Sequence, residues 1–205
     1  MSPLDDSPAP LGLYVDLVAR GVGDPFDRHI FACALATAKN EVHRPLNEAI
    51  GLTARELGHL IKTYFPSADA LLSVLPPGAG RGEEALEEPD LRQLLLDHRS
   101  RGVAEEDWLA AIVARRSLQP NHLWQDLGLF NRSDLSRLLH RHFEPLAQRN
   151  VRDMKWKKFF YRELCMRDGV LVCKAPVCDV CSDFAHCFGS EDAEPLTRLQ
   201  PARAD

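Results

Sequence analysis

The chain has 205 residues, of which 45% are hydrophobic and 27% are charged, and both values are ordinary for a soluble globular protein. This length favours one domain with a sizeable core. The formal net charge of −5 argues against general nucleic-acid binding, and no apolar stretch has the length of a membrane span. The N-terminus is acidic and proline-rich, unlike a secretory signal, so we expect a cytoplasmic protein.

Helix signals recur along the chain and predict an all-α fold. Residues 11–20 form the first predicted helix. Asp24 and Pro25 mark the start of the second, as N-cap and first helical residue. Thr53 and Glu56 have the spacing of a capping box, and no strand-like alternation of useful length appears. Further helices are predicted at 67–75, 91–98 and 104–116, from Pro120, and after the cap Asn131.

Three features that could suggest function have simpler structural explanations. Cys33 lies on the apolar stripe of the second helix, where a free cysteine behaves as a small core hydrophobe. The glycines of residues 76–82 lack the Lys and Ser/Thr of a phosphate-binding loop and indicate a linker. His140 and His142 are two residues apart and so point to different faces of a helix, which predicts surface or partly packed histidines.

A basic helix is predicted over residues 153–167. The stretch 149–167 contains seven basic and two acidic residues, although the whole chain is acidic. An exposed charged face is one interpretation, and a surface that attracts an anion or an acidic partner is the other. The basic stripe comprises Arg152, Lys155, Lys158 and Arg162, and the apolar stripe comprises Trp156, Phe159, Phe160 and Leu164.

Five of the six cysteines follow or end this helix, and four of them form the pattern C-x4-C-x2-C-x5-C. Thiolates select iron–sulfur clusters, Cu(I) or zinc. Structural zinc sites usually contain two C-x2-C units, and a plant-type ferredoxin has a distant fourth cysteine. A compact iron–sulfur site is therefore favoured, and zinc remains the alternative. The candidate ligands are Cys173, Cys178, Cys181 and Cys187.

Two further residues lie close to this motif. Cys165, at the end of the basic helix, is either a spare or exchange ligand or a packed helix-end residue. His186, next to Cys187, is a candidate hydrogen-bond donor to the ligands or a transient ligand, although a lone loop histidine more often has no such role.

The predicted organisation is a single helical domain with a C-terminal cysteine-rich metal-cluster loop. Residues 1–10 are expected to be a disordered N-terminal tail. Residues 11–168 form the helical body, which ends in the basic helix. Residues 169–189 form the cysteine loop, and residues 190–205 are expected to be a disordered C-terminal tail.

The chain resembles the NifQ family, the molybdenum donors of nitrogenase cofactor assembly. The resemblance rests on the run from Asp153 to Cys165 and on the cysteine motif followed by Phe188 and Gly189. Residues 24–31 and 122–128 are also similar to that family. The resemblance extends from about residue 11 to residue 190, so it covers most of the chain.

This resemblance implies a carrier and not an enzyme. Its expected cofactor is an iron–sulfur cluster, of 4Fe–4S or 3Fe–4S type, that incorporates molybdenum as a Mo–Fe–S cluster. The implied partners are the nitrogenase cofactor scaffold complex, the nitrogenase Fe protein, and molybdate or a molybdenum–sulfur species, with no nucleic acid or membrane. The four cysteines of the motif are the implied ligands. The alternatives are a ferredoxin-like electron carrier and a zinc-stabilised interaction protein.

Overall fold

The computed structural model describes residues 10–41, 43–167, 169 and 187–191, and these ranges contain ten α-helices and no strand. The predicted all-α class is confirmed. Within the same ranges, no helix has both the length and the apolar character that crossing a bilayer requires. The helices are α1 (Pro10–Arg20), α2 (Pro25–Lys39), α3 (Leu46–Ile50), α4 (Ala54–Tyr64), α5 (Glu88–Asp97), α6 (Ala104–Ser117), α7 (Leu123–Asp126), α8 (Arg132–His142), α9 (Glu144–Ala147) and α10 (Trp156–Arg167).

The predicted helix starts are confirmed by their capping hydrogen bonds. Asp24 Oδ1 accepts from the backbone N–H groups of Phe26 and Asp27, at 2.9 and 3.0 Å. Thr53 and Glu56 cap each other's backbone N–H groups, as a capping box requires. The segment predicted as a helix from residue 67 to residue 75 differs, because it forms only a single 3-10 turn over Asp69–Leu72.

Helices α2 and α6 form the centre of the body. Most of their residues are buried, and the buried residues lie on all sides of each helix. Such helices belong to a core and not to a surface. The rings of Phe31 on α2 and Trp108 on α6 join them, with centroids 6.2 Å apart. Cys33 lies in this core with no exposed surface, so the prediction that it packs as a hydrophobe is confirmed.

Arg115 on α6 is buried and holds the segment between α4 and α5 against the body. Its Nε lies 2.9 Å from Glu88 Oε1, and its other guanidinium nitrogens donate to the carbonyl groups of Glu83 and Arg81, at 3.2 and 3.1 Å. The Asn47 side chain donates to the carbonyl of Gly80 at 2.7 Å. The glycine-rich connection is thus tied to the body at several points.

Arg116, the next residue, is also buried and joins three other parts of the chain. Its Nε donates to the carbonyl of Asp126 on α7 at 2.7 Å, and its Nη1 donates to the carbonyl of Ala49 on α3 at 3.2 Å. The same nitrogen also contacts the carboxylate of Glu41. Because a buried guanidinium is stable only when its donors have acceptors, Arg116 determines how α3, α6 and α7 meet.

The two histidines of α8 have different environments. His140 is exposed, as predicted. His142 is only 1% exposed, and its Nε2 lies 2.9 Å from Asp27 Oδ1 on α2. The expectation of a surface or partly packed residue was therefore wrong for His142. A buried carboxylate far away in sequence provides the partner that makes its burial possible.

His29 on α2 lies in a small polar cluster at the edge of the core. Its Nδ1 is 2.9 Å from the Tyr14 hydroxyl and 3.7 Å from Cys33 Sγ, and its Nε2 is 3.6 Å from a carboxylate oxygen of Asp134. Burial lowers the pKa of His29, and the nearby Asp134 carboxylate opposes this shift only in part. The neutral imidazole is thus the form that fits the folded state.

We predict that His29 makes stability fall at mildly acidic pH. Its pKa is lower in the folded than in the unfolded state, so its stabilisation is complete above the unfolded value of about 6.5. Below that pH the unfolded chain takes up the proton first, and the free energy of unfolding falls by up to about 1.4 kcal/mol per pH unit. Urea unfolding at several pH values should show a shallower dependence for His29→Asn. Identical slopes for both proteins would contradict this account.

Candidate metal centre

The structure describes two of the six residues predicted for the site. The other four lie outside the described residues, and they are Cys173, Cys178, Cys181 and His186. Of the predicted cysteine loop the structure describes only residues 169 and 187–189, and of the predicted tails only residues 10 and 190–191. Cys187 and Cys165 are described, and both are partly exposed. Within the described ranges, no group of three or more His, Cys, Asp or Glu side chains is arranged to hold a metal ion.

The basic helix begins at Trp156 and not at residue 153. Asp153 has a positive φ of 54°, and the Asn150 side chain exchanges two hydrogen bonds of 2.8 Å with the backbone of Met154. This turn occupies the three residues that we predicted as helical. The apolar stripe is confirmed, because Trp156, Phe159, Phe160 and Leu164 are all buried.

Lys157 fixes the start of α10 to the body. Its Nζ donates to the carbonyl groups of Gln119 and Asn121 and to the carboxylate of Asp126, at 2.5, 2.6 and 2.5 Å. Burial lowers the pKa of Lys157, and hydrogen bonding to Asp126 opposes the shift. This lysine is a structural cation, whereas its neighbour Lys158 is exposed.

Cys187 lies directly against the start of α10. Its backbone carbonyl accepts a 2.8 Å hydrogen bond from the N–H of Lys155, in the turn before the helix. The next residue, Phe188, packs against the core and has the guanidinium of Arg152 5.3 Å above its ring. One end of the cysteine motif therefore has a defined position on the body, beside two basic residues.

A cluster of side chains around Glu191 anchors the chain four residues beyond Cys187. The Glu191 carboxylate is 6% exposed, with one oxygen 2.9 Å from His122 Nδ1 and the other 2.5 Å from Arg132 Nε. Arg132 also binds the carboxylate of Asp153 through two nitrogen–oxygen contacts. We call these four residues the Glu191 cluster. Glu191, which we predicted as part of a C-terminal tail, thus lies against the body.

The described part of the site suits thiolate ligation. Cys187 is partly exposed, and the basic residues Arg152 and Lys155 belong to the adjoining turn. Positive charge in this position stabilises an anionic thiolate centre. Cys165 lies on the last turns of α10, next to the exposed Met166. The two described cysteines thus mark the two ends of α10.

Sequence reasoning missed the Glu191 cluster and the structural role of Lys157. Glu191 has no local signal, because its partners are more than 50 residues away in the chain. Lys157 looks like any lysine of a basic helix, and only the positions of Asp126 and two carbonyl groups distinguish it.

Comparisons with known proteins agree on one family. The family model described as NifQ matches residues 30–189. A protein named NifQ homolog from Sinorhizobium fredii is 41% identical over 180 residues, which cover 85% of this chain and 78% of the relative. The NifQ protein of Azotobacter vinelandii is 43% identical, with 69% and 78% covered, and that of Rhodobacter capsulatus is 38% identical, with 72% and 79% covered. No solved structure matches the chain.

We predict that Lys157→Met lowers the free energy of unfolding by about 2–3 kcal/mol, because it leaves the buried Asp126 carboxylate without its cation. Lys158→Met is the matched control, since it removes an exposed ammonium from the adjacent position and should change stability by less than about 0.5 kcal/mol. Urea denaturation measures both values. Equal effects would mean that Lys157 is an ordinary surface lysine.

We also predict that Glu191→Ala frees the end of the cysteine motif. Losing charge-assisted hydrogen bonds worth about 1.5 kcal/mol should speed hydrogen exchange at the Lys155 amide about tenfold, because this amide binds the Cys187 carbonyl. Exchange mass spectrometry of residues 150–160 provides the measurement. Glu144→Ala, at an exposed position of α9, is the control. Unchanged Lys155 protection would show that the Glu191 cluster does not hold Cys187.

Proposed function

The chain belongs to the NifQ family, whose name places it among the proteins of nitrogen fixation, and on that premise we propose that it donates molybdenum for assembly of the nitrogenase iron–molybdenum cofactor. In this proposal the protein is a carrier and not an enzyme, and it acts in the cytoplasm. The observation that carries the proposal is the four-cysteine motif beside a basic helix, with its last cysteine seated at the start of that helix.

The proposed ligands are the thiolates of Cys173, Cys178, Cys181 and Cys187. They would hold an iron–sulfur cluster of 4Fe–4S or 3Fe–4S type, which supplies sulfide atoms that bind molybdenum and so gives a Mo–Fe–S cluster. The contacts of Cys187 and Phe188 with the body support this assignment, because they keep one ligand at a fixed position. Cys165 and His186 are proposed as additional or transient ligands.

The basic residues near Cys187 would attract the cargo. Molybdate and molybdenum–sulfur species are anions, and a surface of one sign raises the local concentration of the opposite charge. Arg152 and Lys155 lie beside Cys187, and Arg162 continues their stripe along α10. Lys157 contributes little to this attraction, because its ammonium is bound within the body.

Transfer requires a site that partners can reach. The core of the body is formed by α-helices that precede the cysteine motif in the chain. We propose that the nitrogenase cofactor scaffold complex and the nitrogenase Fe protein receive the molybdenum. Their ligands would compete with the thiolates, and the helical body would remain folded when the cargo leaves. No nucleic acid or membrane takes part in this proposal.

The test is anaerobic purification, followed by iron, sulfide, molybdenum and zinc analysis and a visible spectrum. We expect a brown protein with iron, sulfide and molybdenum. Cys178→Ala or Cys181→Ala should lose these elements and keep the helical circular-dichroism signal. Cys33→Ala is the matched control, and this variant should keep its iron, sulfide and molybdenum. Cys33 lies in the core, where burial raises the pKa of its thiol, so it does not supply a thiolate ligand.

Other outcomes would contradict the proposal in distinct ways. Stoichiometric zinc in colourless protein, with no iron gained on reconstitution, would support the zinc-stabilised interaction protein. Iron and sulfide with reversible redox cycling, but without molybdenum, would support the ferredoxin-like electron carrier. Loss of the helical signal in the cysteine variants would mean that the metal stabilises the fold itself.

A further inference from the structure

Helix α1 is apolar on nearly all of its sides. Among its 11 residues, only Asp16 and Arg20 carry a charge. A helix that is apolar all round is normally buried all round. In this structure α1 packs mainly on α2, and the proposed function gives no role to its other side.

The inner side of α1 is firmly seated on the body. Leu13 and Leu17 are buried. The Tyr14 hydroxyl lies 2.9 Å from His29 Nδ1, and the Tyr14 ring packs edge-on against Phe130, with centroids 5.2 Å apart. These contacts hold the helix in place. Its outer side is therefore a preformed surface, and a partner that bound there would lose little affinity to ordering it.

The outer side of α1 exposes hydrophobic side chains. Val15 is 52% exposed, and Ala19, one helical turn further on, is also exposed. Val22, just beyond the end of the helix, is 47% exposed. Leu11 and Val18 lie on the same helix face as Val15 and are only partly buried. Exposed hydrophobic side chains are costly in water, and several of them together indicate a contact surface.

Asp16 and Arg20 lie along one edge of this surface. Their carboxylate and guanidinium are 3.9 Å apart, and their side chains are 60% and 68% exposed. Within the described part of the chain, neither side chain has another charged or hydrogen-bonding partner. An exposed pair at this distance contributes little to stability, so both groups remain able to bind opposite charges.

The order of these residues makes the surface self-complementary. In a symmetric pair of antiparallel α1 helices, with the two-fold axis near residues 18 and 19, Asp16 faces Arg20 of the second copy. The same axis brings Val15 opposite Val22 of that copy. Because the axis repeats every contact, two charge pairs accompany one apolar centre. A surface with charges of only one sign would instead repel its copy.

We propose that the outer side of α1 binds the same surface of a second copy of this chain, in an antiparallel, two-fold symmetric dimer. A second copy is favoured over an unrelated protein, because it supplies the matching charges and valines in the matching register. The helix has 11 residues and is about 17 Å long, so its face is smaller than a standard interface of roughly 800 Å² per partner. The dimer should therefore be weak and reversible.

The test is analytical ultracentrifugation of the full-length protein, from low micromolar to several hundred micromolar. We expect the mean mass to rise with concentration towards that of a dimer. Val15→Asp should raise the dissociation constant at least about tenfold, because the dimer would bury an unpaired charge. Leu86→Asp is the matched control, since Leu86 is 90% exposed and lies outside α1, and it should leave the dissociation constant unchanged. A reductant excludes disulfides, and a repeat with a chelator excludes a metal ion shared by two cysteine motifs.

Charge exchange tests the register of the two helices. Asp16→Arg and Arg20→Asp should each weaken dimerisation about tenfold, because each turns two attractive contacts into repulsive ones. The double variant with both exchanges should dimerise like the unchanged protein. An equimolar mixture of the two single variants should form a heterodimer, because one supplies only cations and the other only carboxylates.

Several results would overturn the proposal. A protein that stays monomeric at every concentration would leave the surface to a different partner. A monomer that Val15→Asp strongly destabilises would show that the chain itself covers this side of α1. Equal effects of Val15→Asp and Leu86→Asp, or a double variant that does not recover, would mean that association does not use this register. The dimer needs no metal, so these results stand apart from the metal analysis that tests the proposed function.

Discussion

The structure depends on the pair of buried arginines at the end of α6. A guanidinium that is shielded from water needs acceptors for its hydrogen-bond donors. The acceptors of Arg115 lie in the segment after α4 and at the start of α5. Those of Arg116 lie on α3 and α7. The carbonyl of Asp126 accepts from Arg116, and its carboxylate binds Lys157. One continuous polar network therefore extends from the centre of the core to the start of α10, where Cys187 is seated. The position of the candidate metal centre follows from the packing of α6.

Much of the fold was predictable, because many of its signals are local. Asp24, Thr53 and their partners lie within three residues of each other, so the caps depend on short-range geometry alone. The apolar stripe of α10 likewise reflects the helical repeat, and burial of Trp156 and Phe160 follows from it. The cysteine motif was also readable as a set of candidate ligands from spacing and thiolate chemistry. Of that motif the structure describes only Cys187, so the ligand set stays a prediction.

Other features were not predictable, because long-range contacts decide them. His142 can be buried because it contacts Asp27, which is 115 residues away in the chain. Lys157 differs from Lys158 only in its contacts with Asp126 and two distant carbonyl groups. Glu191 likewise depends on Arg132 and His122, which are more than 50 residues away. In each of these cases a polar group is buried or oriented by a partner that a sequence window cannot contain. The late start of α10 is different, because it depends on the local turn between Asn150 and Met154.

The hydrogen bond from the Lys155 N–H to the Cys187 carbonyl has a consequence for the entropy of the metal binding that we propose. Helix α10 has 12 residues and is about 18 Å long, and the chain that leaves its far end at Arg167 meets the body again at its near end. The body therefore fixes both chain points that flank the cysteine motif. In the carrier that we propose, the entropy of bringing these two points together would be a cost of folding and not of loading. Release of the cargo would leave both points in place, ready for another round of loading.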